Sequence, residues 1–271
     1  MIIIKSNKGT QKENKPSSDK SFKMIAKTMF GLEEILADEL RALGAEDVQP
    51  ISRAVAFTGT METLYKANYC CRTALAILRP FAEFEANSNQ ELYDNVYNIK
   101  WEQIIDVDST FFFESAANSK IFNHSYYAAL KTKDAIVDRF KRLFGRRPTI
   151  DTENADYKFN IHIYDNKVTL LMNSSGESLH KRGYRQAVGI APINEVLAAG
   201  LIQLSGWKAD SHFFDPMCGS GTILIEAAMF ANNIPPQYYR KKFGFMKWKE
   251  FNNSEWKSVR ERADRGIRDF E

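Results

Sequence analysis

Apolar and polar positions in residues 22–86 predict an alternation of strands and helices. Short runs rich in β-branched and aromatic residues indicate strands, whereas Leu32, Leu36 and Leu40 recur at the spacing of one helix face. Gly44 follows this helical run and is expected to end it from the position after the C-cap. The predicted strands cover 22–28, 48–52, 54–58 and part of 73–85, and the predicted helices cover 31–43 and 61–69. This strand–helix–strand–strand–helix–strand order is the ferredoxin-like pattern.

Residues 87–175 predict a second sheet that carries one long helix. The strand at 157–164 alternates as a half-buried strand should, and Asp165-Asn166 after it forms a turn pair that tolerates positive φ. The other predicted elements are helices at 89–98, 101–105 and 124–144 and strands at 110–116 and 167–173. The longest helix, 124–144, has an apolar stripe that comprises Tyr126, Ala129, Ile136, Phe140, Leu143 and Phe144.

A strand, a glycine turn and a helix are predicted around Asp215. The apolar run at 212–214 precedes this acid, and helical character begins at residue 223. Gly219 and Gly221 lack a Cβ, so the backbone between strand and helix can turn sharply and approach a ligand closely. Ligands of open α/β sheets bind in the crevice at the carboxyl ends of such strands. An acid at this position suits an ammonium group or ribose hydroxyls better than a phosphate.

Two common nucleotide-binding loops do not fit this turn. A P-loop needs Lys before its Ser or Thr, and here Gly221 stands before Thr222. A dinucleotide fingerprint needs a third glycine three residues further on, where this chain has Leu224. The turn therefore indicates a different class of ligand.

The turn has the sequence Asp215-Pro216-Met217-Cys218-Gly219-Ser220-Gly221-Thr222, which resembles the first motif of class I S-adenosylmethionine-dependent methyltransferases. Its DPxCGSGT form is common among RNA guanine-N2 methyltransferases. Upstream, residues 179–185 (LHKRGYR) and 191–195 (APINE) resemble the start of the same catalytic domain. The two motifs are specific because they occur together and in order. The resemblance covers residues 22–250.

The resemblance implies the fold class and the domain organisation. It implies an α+β amino-terminal half, ferredoxin-like plus THUMP, followed by the start of an α/β Rossmann-like methyltransferase domain. The chain resembles the N-terminal part of bacterial 23S rRNA guanine-N2 methyltransferases. The expected divisions are a disordered tail (1–21), a ferredoxin-like domain (22–86), an RNA-binding THUMP domain (87–175) and a truncated methyltransferase domain (176–271). The polar, Lys/Asn/Ser-rich composition of the tail independently favours disorder.

S-adenosyl-L-methionine is the cofactor that the resemblance implies. Asp215 would hold the methionine amino group, and Thr222 would offer its hydroxyl and amide. Asn194, on a helix predicted at 192–204 with Pro192 in its first turn, would contact the cofactor carboxylate, although the matching family more often has Lys before Glu there. Cys218 is expected to pack as a small apolar side chain. The expected cofactor-binding residues are Asp215, Pro216, Cys218, Gly219, Ser220, Gly221, Thr222 and Asn194.

The catalytic residues are not identified. The Asn/Asp-Pro-Pro-Tyr loop that positions an exocyclic amine is expected beyond Glu271. The run at 233–238 (NIPPQY) has an extra Ile and follows the first helix directly, so it is interpreted as a helix-terminating loop. His124 and His162 have no partners at ligand spacing, so no metal site is expected.

Charge is sorted into patches on a nearly neutral chain, which has a net charge of +3. Residues 120–147 hold eight Lys and Arg against two acids, and residues 240–271 hold ten against six. Such sorting favours a polyanion partner, although a solvated helix face explains any single patch equally well, and the family resemblance implies that this polyanion is structured RNA, rRNA in the first place. The expected RNA-binding residues are Lys131, Lys133, Lys141, Arg142, Arg146, Arg147, Lys181, Arg182 and Arg185.

Composition favours a cytoplasmic protein. No apolar run approaches the roughly 18 residues of a membrane helix, and three cysteines without CxxC spacing suggest neither zinc nor disulfides. Two rival functions stay open: a non-catalytic RNA-binding or ribosome-assembly protein, and a methyltransferase acting on tRNA or on DNA adenine. The oligomeric state is open.

Overall fold

The amino-terminal half has the predicted ferredoxin-like order. The computed structural model describes residues 20–122, 125–185 and 192–268; residues 1–19 of the predicted tail and His124 lie outside them. The first elements are β1 (Phe22–Lys27), α1 (Glu33–Ala42), β2 (Glu46–Ile51), β3 (Ala54–Gly59), α2 (Met61–Cys70) and β4 (Ala76–Glu85). Gly44 has a φ of 83° just after the C-cap of α1, as predicted.

The next elements also follow the predicted order, with one short addition. They are α3 (Asn89–Asn98), a 3-10 turn (Trp101–Gln103), β5 (Thr110–Asn118), α4 (Ser125–Phe144), β6 (Thr149–Ile150), β7 (Tyr157–Tyr164) and β8 (Lys167–Asn173). Asp165 has the positive φ, 52°, that the predicted turn requires.

All eight strands form one continuous sheet, in the order β2-β3-β1-β4-β8-β7-β5-β6. The strand that joins the two halves is β4. Its first residues, Ala76–Leu78, pair with β1, and the stretch from Leu78 to Glu85 pairs with β8. Pro80 lies at a register shift in this pairing, which is where a central strand tolerates a residue without an N–H.

The apolar stripe of α4 is buried only in its middle. Ala129, Ile136 and Phe140 are buried, whereas Tyr126 is 72% exposed and Leu143 and Phe144 are each 50% exposed, so the stripe was predicted too long. The helix has 20 residues and packs on α3, which has only 10. At 1.5 Å per residue, the ends of α4 therefore extend past the helix that covers it.

The helix after the sheet starts later than predicted. It is α5 (Glu195–Leu204), and Pro192 lies before it rather than in its first turn. Asn194 is the N-cap, because its side-chain oxygen accepts hydrogen bonds from the N–H groups of Val196 (2.9 Å) and Leu197 (3.4 Å).

The predicted strand at 212–214 is not formed in the structure. No described strand runs beside it, and an isolated extended segment has no ladder to join. Phe214 is 86% exposed, and the nearby Met217 is 89% exposed. The predicted helix does form, as α6 (Thr222–Ala231), and it packs against α5.

The segment after α6 returns to the sheet and ends in a helix that was not predicted. This helix, α7 (Asn253–Asp264), packs on α2 and buries Trp256 and Val259. Trp256 forms an aromatic cluster with Tyr65 and Phe245, which lies in a 3-10 turn at Gly244–Lys247. None of the helices in the described ranges is both long and apolar enough for a membrane span.

Glycines and one arginine hold this returning segment against the end of β8. A Cβ at Gly244 would lie 2.5 Å from the carbonyl oxygen of Asn173 and 2.8 Å from the nitrogen of Gly176. The guanidinium of Arg240 donates hydrogen bonds to the backbone carbonyls of Ser175, Glu177, Ser178, Lys181 and Lys242. Burial lowers the pKa of Arg240 to about 10. Direct backbone contact at Gly244 and the hydrogen bonds of the Arg240 guanidinium thus fix the start of the predicted methyltransferase domain to the sheet.

Candidate cofactor and RNA-binding sites

The glycine turn has the backbone conformation that the sequence predicts. Gly219 and Gly221 have φ values of 52° and 74°, in the left-handed region that favours glycine. Gly221 is the N-cap of α6, and its N–H donates to the carbonyl of Cys218 (2.7 Å). No heavy atom lies within 4 Å of a Cβ built on either glycine. The turn is therefore an open cradle at a helix N-terminus that side chains at these two positions would fill, which fits close approach by S-adenosyl-L-methionine.

The acid before the turn remains accessible. One carboxylate oxygen of Asp215 accepts a hydrogen bond from the N–H of Met217 (3.1 Å), which stabilises the bend at Pro216. Cys218 is exposed, so its predicted packing is wrong. The residues on either side of it are exposed as well, so the thiol does not reach the core. Ser220 lies beside Thr222, with their hydroxyl oxygens 3.2 Å apart.

Thr222 is tied to the upstream motif. It is buried, and its hydroxyl accepts a hydrogen bond from Arg185 (3.1 Å). Arg185 also forms an ion pair with Glu195 in the first turn of α5 and donates to the carbonyl of Ile193 (2.9 Å). This guanidinium therefore joins both helix N-termini, which is at odds with its predicted RNA contact. Asn194 likewise uses its side-chain oxygen as a helix cap, so that oxygen is already bonded.

Arg182 is buried, and this contradicts its predicted contact with RNA. Its side chain is 0% exposed and lies 3.4 Å from a carboxylate oxygen of the equally buried Glu226. It also donates to the carbonyls of Leu179 (2.9 Å) and Arg72. Tyr184 donates its hydroxyl to the same Glu226 (3.1 Å), and burial together with this carboxylate raises the pKa of Tyr184. The prediction for Arg182, in the basic segment at 179–185, was wrong because its carboxylate partner lies 44 residues away, on α6.

The two residues before Arg182 in the segment 179–185 differ in exposure. Lys181 is 59% exposed and pairs with Glu177 (3.0 Å), so it stays a candidate for RNA contact. His180 is half-buried, with Nδ1 2.8 Å from the hydroxyl of Ser178, and burial lowers its pKa.

The predicted basic face of α4 is exposed at its carboxyl-terminal end but half-buried at Lys131 and Lys133, and some of its cations already have partners within the chain. Arg146 pairs with Asp108 (2.7 Å), and Lys133 pairs with its neighbour Asp134 (3.0 Å). Of the other four cations, two contact aromatic side chains and two form no ion pair within the described ranges. Arg142 donates to the hydroxyl of Tyr97, Lys131 lies over the ring of Tyr127, and Lys141 and Arg147 form no ion pair with a described residue.

A basic groove that the sequence did not predict lies between the sheet and the segment after α6. It is a cavity of about 580 Å³, and we call it the junction groove; its lining includes Lys158, Lys181, Tyr239, Lys241 and Lys242. A signal for Lys158 was present, since the alternation of β7 places it on the polar face. The joining of β7 to the residues around 241 depends on tertiary packing, which periodicity does not reveal.

Three family descriptions match successive parts of the chain. Residues 23–78 match the RlmL ferredoxin-like domain, residues 86–173 match the THUMP domain, and residues 182–268 match the RMKL-like methyltransferase domain. Together they account for nearly all of the described residues, in the order that the sequence predicted.

Curated and solved relatives agree with these matches. The chain is 42% identical over 236 residues to a protein of Psychromonas ingrahamii named ribosomal RNA large subunit methyltransferase K/L, covering 87% of this chain and 31% of that protein. The chain thus spans about a third of the length of this curated relative.

Two solved structures share the fold at higher coverage. The protein SMU.472, solved in complex with SAH, is 34% identical with a TM-score of 0.79, covering 92% of this chain and 66% of the other. A Listeria monocytogenes protein described as an N6-adenine-specific DNA methylase is 32% identical with a TM-score of 0.79, covering 92% and 65%. SAH is what S-adenosyl-L-methionine becomes after it gives up its methyl group, so the cofactor implied by the family is S-adenosyl-L-methionine. The chain therefore carries, in this order, an RlmL ferredoxin-like domain, a THUMP domain and residues of an RMKL-like methyltransferase domain.

Proposed function

We propose that the protein carrying this chain methylates the exocyclic N2 of a guanine in large-subunit ribosomal RNA, in the cytoplasm. The observation that carries the proposal is the open glycine cradle at the N-terminus of α6, in one chain with a THUMP sheet. The name of the Psychromonas ingrahamii relative supports the ribosomal substrate. The DPxCGSGT form of the turn supports the guanine N2.

Residues of this chain hold and orient the cofactor in the proposal. When bound, S-adenosyl-L-methionine supplies an electrophilic methyl group. Asp215 holds the methionine amino group, and the backbone from Cys218 to Gly221 lies against the methionine and ribose. Thr222, whose hydroxyl is bonded to Arg185, fixes the start of α6 relative to the upstream motif. Catalysis then depends on orienting two bound reactants, because direct methyl transfer needs no covalent enzyme intermediate.

The RNA must present its base to this turn. A guanine within folded RNA is turned out of its stack before its amine can approach the methyl group. The THUMP sheet provides RNA affinity away from the chemistry. A DNA adenine substrate, as in the description of the Listeria monocytogenes relative, would leave that sheet without a role.

Methyl transfer by the full-length protein tests the proposal. The protein is incubated with tritiated cofactor and, separately, with transcripts of 23S rRNA and tRNA and with duplex DNA. We expect label in 23S rRNA only, recovered as N2-methylguanosine by mass spectrometry of the nucleosides. Label in tRNA or in DNA adenine would assign the substrate elsewhere. RNA binding without any transfer would instead favour an assembly protein.

Replacing Asp215 by alanine is expected to weaken cofactor binding by about one to two orders of magnitude. The change removes a charge-assisted bond to the cofactor ammonium group, a contact of about 1.5–3 kcal/mol. Calorimetric titration of the full-length protein measures this effect. RNA affinity should not change.

The matched control is Cys218→Ala, three residues away in the same turn. Cys218 is exposed, and only its backbone is assigned to the cofactor, so we expect affinity and turnover close to those of the unmodified protein. A folded, cofactor-binding Cys218→Ala protein without turnover would refute direct transfer and indicate a covalent intermediate on that sulfur.

A further inference from the structure

We propose that the junction groove, rather than the basic face of α4, binds the phosphate backbone of the substrate RNA. The inference rests on the proposed function for the identity of the polyanion. The choice of this surface rests on the structure, because the groove is concave, carries excess positive charge and contains an exposed aromatic ring.

The charges lining the groove are unbalanced. Six cationic side chains face three carboxylates, those of Glu153, Asp156 and Glu177. Two of these carboxylates already have lysine partners, with Lys181 3.0 Å from Glu177 and Lys247 2.9 Å from Asp156. Three lysines, Lys158, Lys241 and Lys242, form no ion pair with a carboxylate in the described ranges. These three are therefore available for phosphates.

The positive field of the groove acts on its own carboxylates. The pKa of Glu177 is lowered, first by the hydrogen bond from Lys181 and further by the charges of Lys158 and Arg240. Arg240 is engaged with backbone carbonyls, so it adds charge to the groove without leaving its structural position. A concave surface of one dominant sign focuses the field and attracts a polyanion.

An aromatic side chain stands among these lysines. Tyr239 lines the groove and is 51% exposed. Aromatic rings between basic residues bind single-stranded nucleic acids by stacking on unpaired bases. Its neighbour Tyr238 is 40% exposed and does not line the groove. The pair therefore offers an internal comparison.

The position of the groove links the two functional halves. One wall is β7 of the THUMP sheet, which carries Lys158, and the other follows α6, which begins at the glycine cradle. Gly183, in the upstream motif, also lines it. RNA held there would run from the THUMP sheet towards the start of the catalytic domain. The six predicted cations on and just after α4 also include two in ion pairs, but the cavity beside them has balanced charge, since Lys131 and Arg147 line it together with Asp134 and Asp138.

Salt dependence of RNA affinity tests the groove directly. The full-length protein is titrated against a fluorescent transcript of a 23S rRNA hairpin with single-stranded flanks. Lys158→Gln, Lys241→Gln and Lys242→Gln together remove three proposed phosphate contacts, so the slope of log K against log salt should decrease in magnitude by about 2. At physiological salt this corresponds to about a fiftyfold loss of affinity.

The matched control makes the same charge change on α4, with Lys131, Lys133 and Lys141 replaced by Gln. We expect its slope to stay within error of the unmodified protein. Equal losses in both triple variants, or a loss on α4 alone, would overturn the groove assignment. Unmodified protein that shows no salt-dependent RNA binding would overturn the RNA partner itself, and with it both proposals.

Tyr239→Leu tests the stacking contact separately from charge. Because stacking is insensitive to salt, we expect about a tenfold loss of affinity for the flanked hairpin with an unchanged slope. Tyr238→Leu should bind normally. Circular dichroism and melting temperature confirm that each variant folds. Normal affinity of Tyr239→Leu, or equal losses in both tyrosine variants, would refute base stacking in the groove.

Discussion

Replacing Arg182 by alanine is expected to lower the free energy of unfolding by about 3–5 kcal/mol, the cost of leaving a buried ion without its partner. The guanidinium and the Glu226 carboxylate are both 0% exposed, so water cannot replace the lost contact. The change also leaves the carbonyl of Arg72 without its side-chain donor and removes one of the two side-chain donors of the Leu179 carbonyl, the other being Gln237. Urea denaturation followed by circular dichroism measures the effect, as a lower midpoint for the variant.

Two further variants distinguish the loss of the buried ion pair from the mere loss of one positive charge. Lys181→Ala removes the adjacent, exposed lysine and should change the free energy of unfolding by less than about 0.5 kcal/mol. The double variant Arg182→Met with Glu226→Leu should recover much of the loss, because a buried pair is often replaced by apolar residues without net cost. A change below about 1 kcal/mol for Arg182→Ala would mean that the side chain is solvated, and the RNA contact predicted from the sequence would become tenable again.

Gly244→Ala is expected to destabilise the protein by about 3 kcal/mol, at the upper end of typical overpacking costs. The added Cβ would lie 2.5 Å from the carbonyl oxygen of Asn173 and 2.8 Å from the nitrogen of Gly176. Both are backbone atoms, so neither can move aside without shifting the end of β8. Thermal denaturation measures the effect as a lower melting temperature.

The control for this prediction is Gly200→Ala, in the middle of α5. There the added Cβ would meet the methyl carbons of Leu32 at 2.6 Å, which is as close, but the far end of a leucine can change rotamer. Alanine is also favoured over glycine inside a helix by about 1 kcal/mol, so we expect a change of less than about 1 kcal/mol in either direction. If Gly244→Ala were as stable as Gly200→Ala, the contact between Gly244 and the backbone after β8 would be less close than the structure shows.

Local patterns predicted most of the fold because each reports a contact that the element itself makes. The alternation of Phe159, Ile161 and Ile163 predicted β7, since those side chains face one core. The pairing of β4 with β8 could not be predicted in this way. It joins strands that are far apart in the sequence, and it depends on which edge of β4 is left unpaired by β1. The predicted strand at 212–214 failed for the same reason: its apolar run indicates burial but cannot supply the neighbouring strand.

In the candidate site, the backbone conformation of single residues was predictable, whereas contacts between residues distant in the sequence were not. Gly219 and Gly221 indicate their own backbone conformation, and both adopt it. A cationic side chain does not indicate its partner, so Arg182 and Arg185 were taken for RNA contacts although each meets a carboxylate inside the protein. Lys158 and Lys241 gave the opposite error. Neither was named as an RNA contact, although Lys241 lies in the basic segment at 240–271, because the groove they line exists only after folding.

The division of β4 between two partners has a consequence for dissecting the protein. A fragment ending at residue 86 would retain the pairing with β1 but would leave the stretch from Leu78 to Glu85 without β8. That stretch would present unpaired N–H and C=O groups along a newly exposed sheet edge, which is a template for edge-to-edge association. A ferredoxin-like fragment cut there should oligomerise through β4, and a soluble fragment has to keep β8.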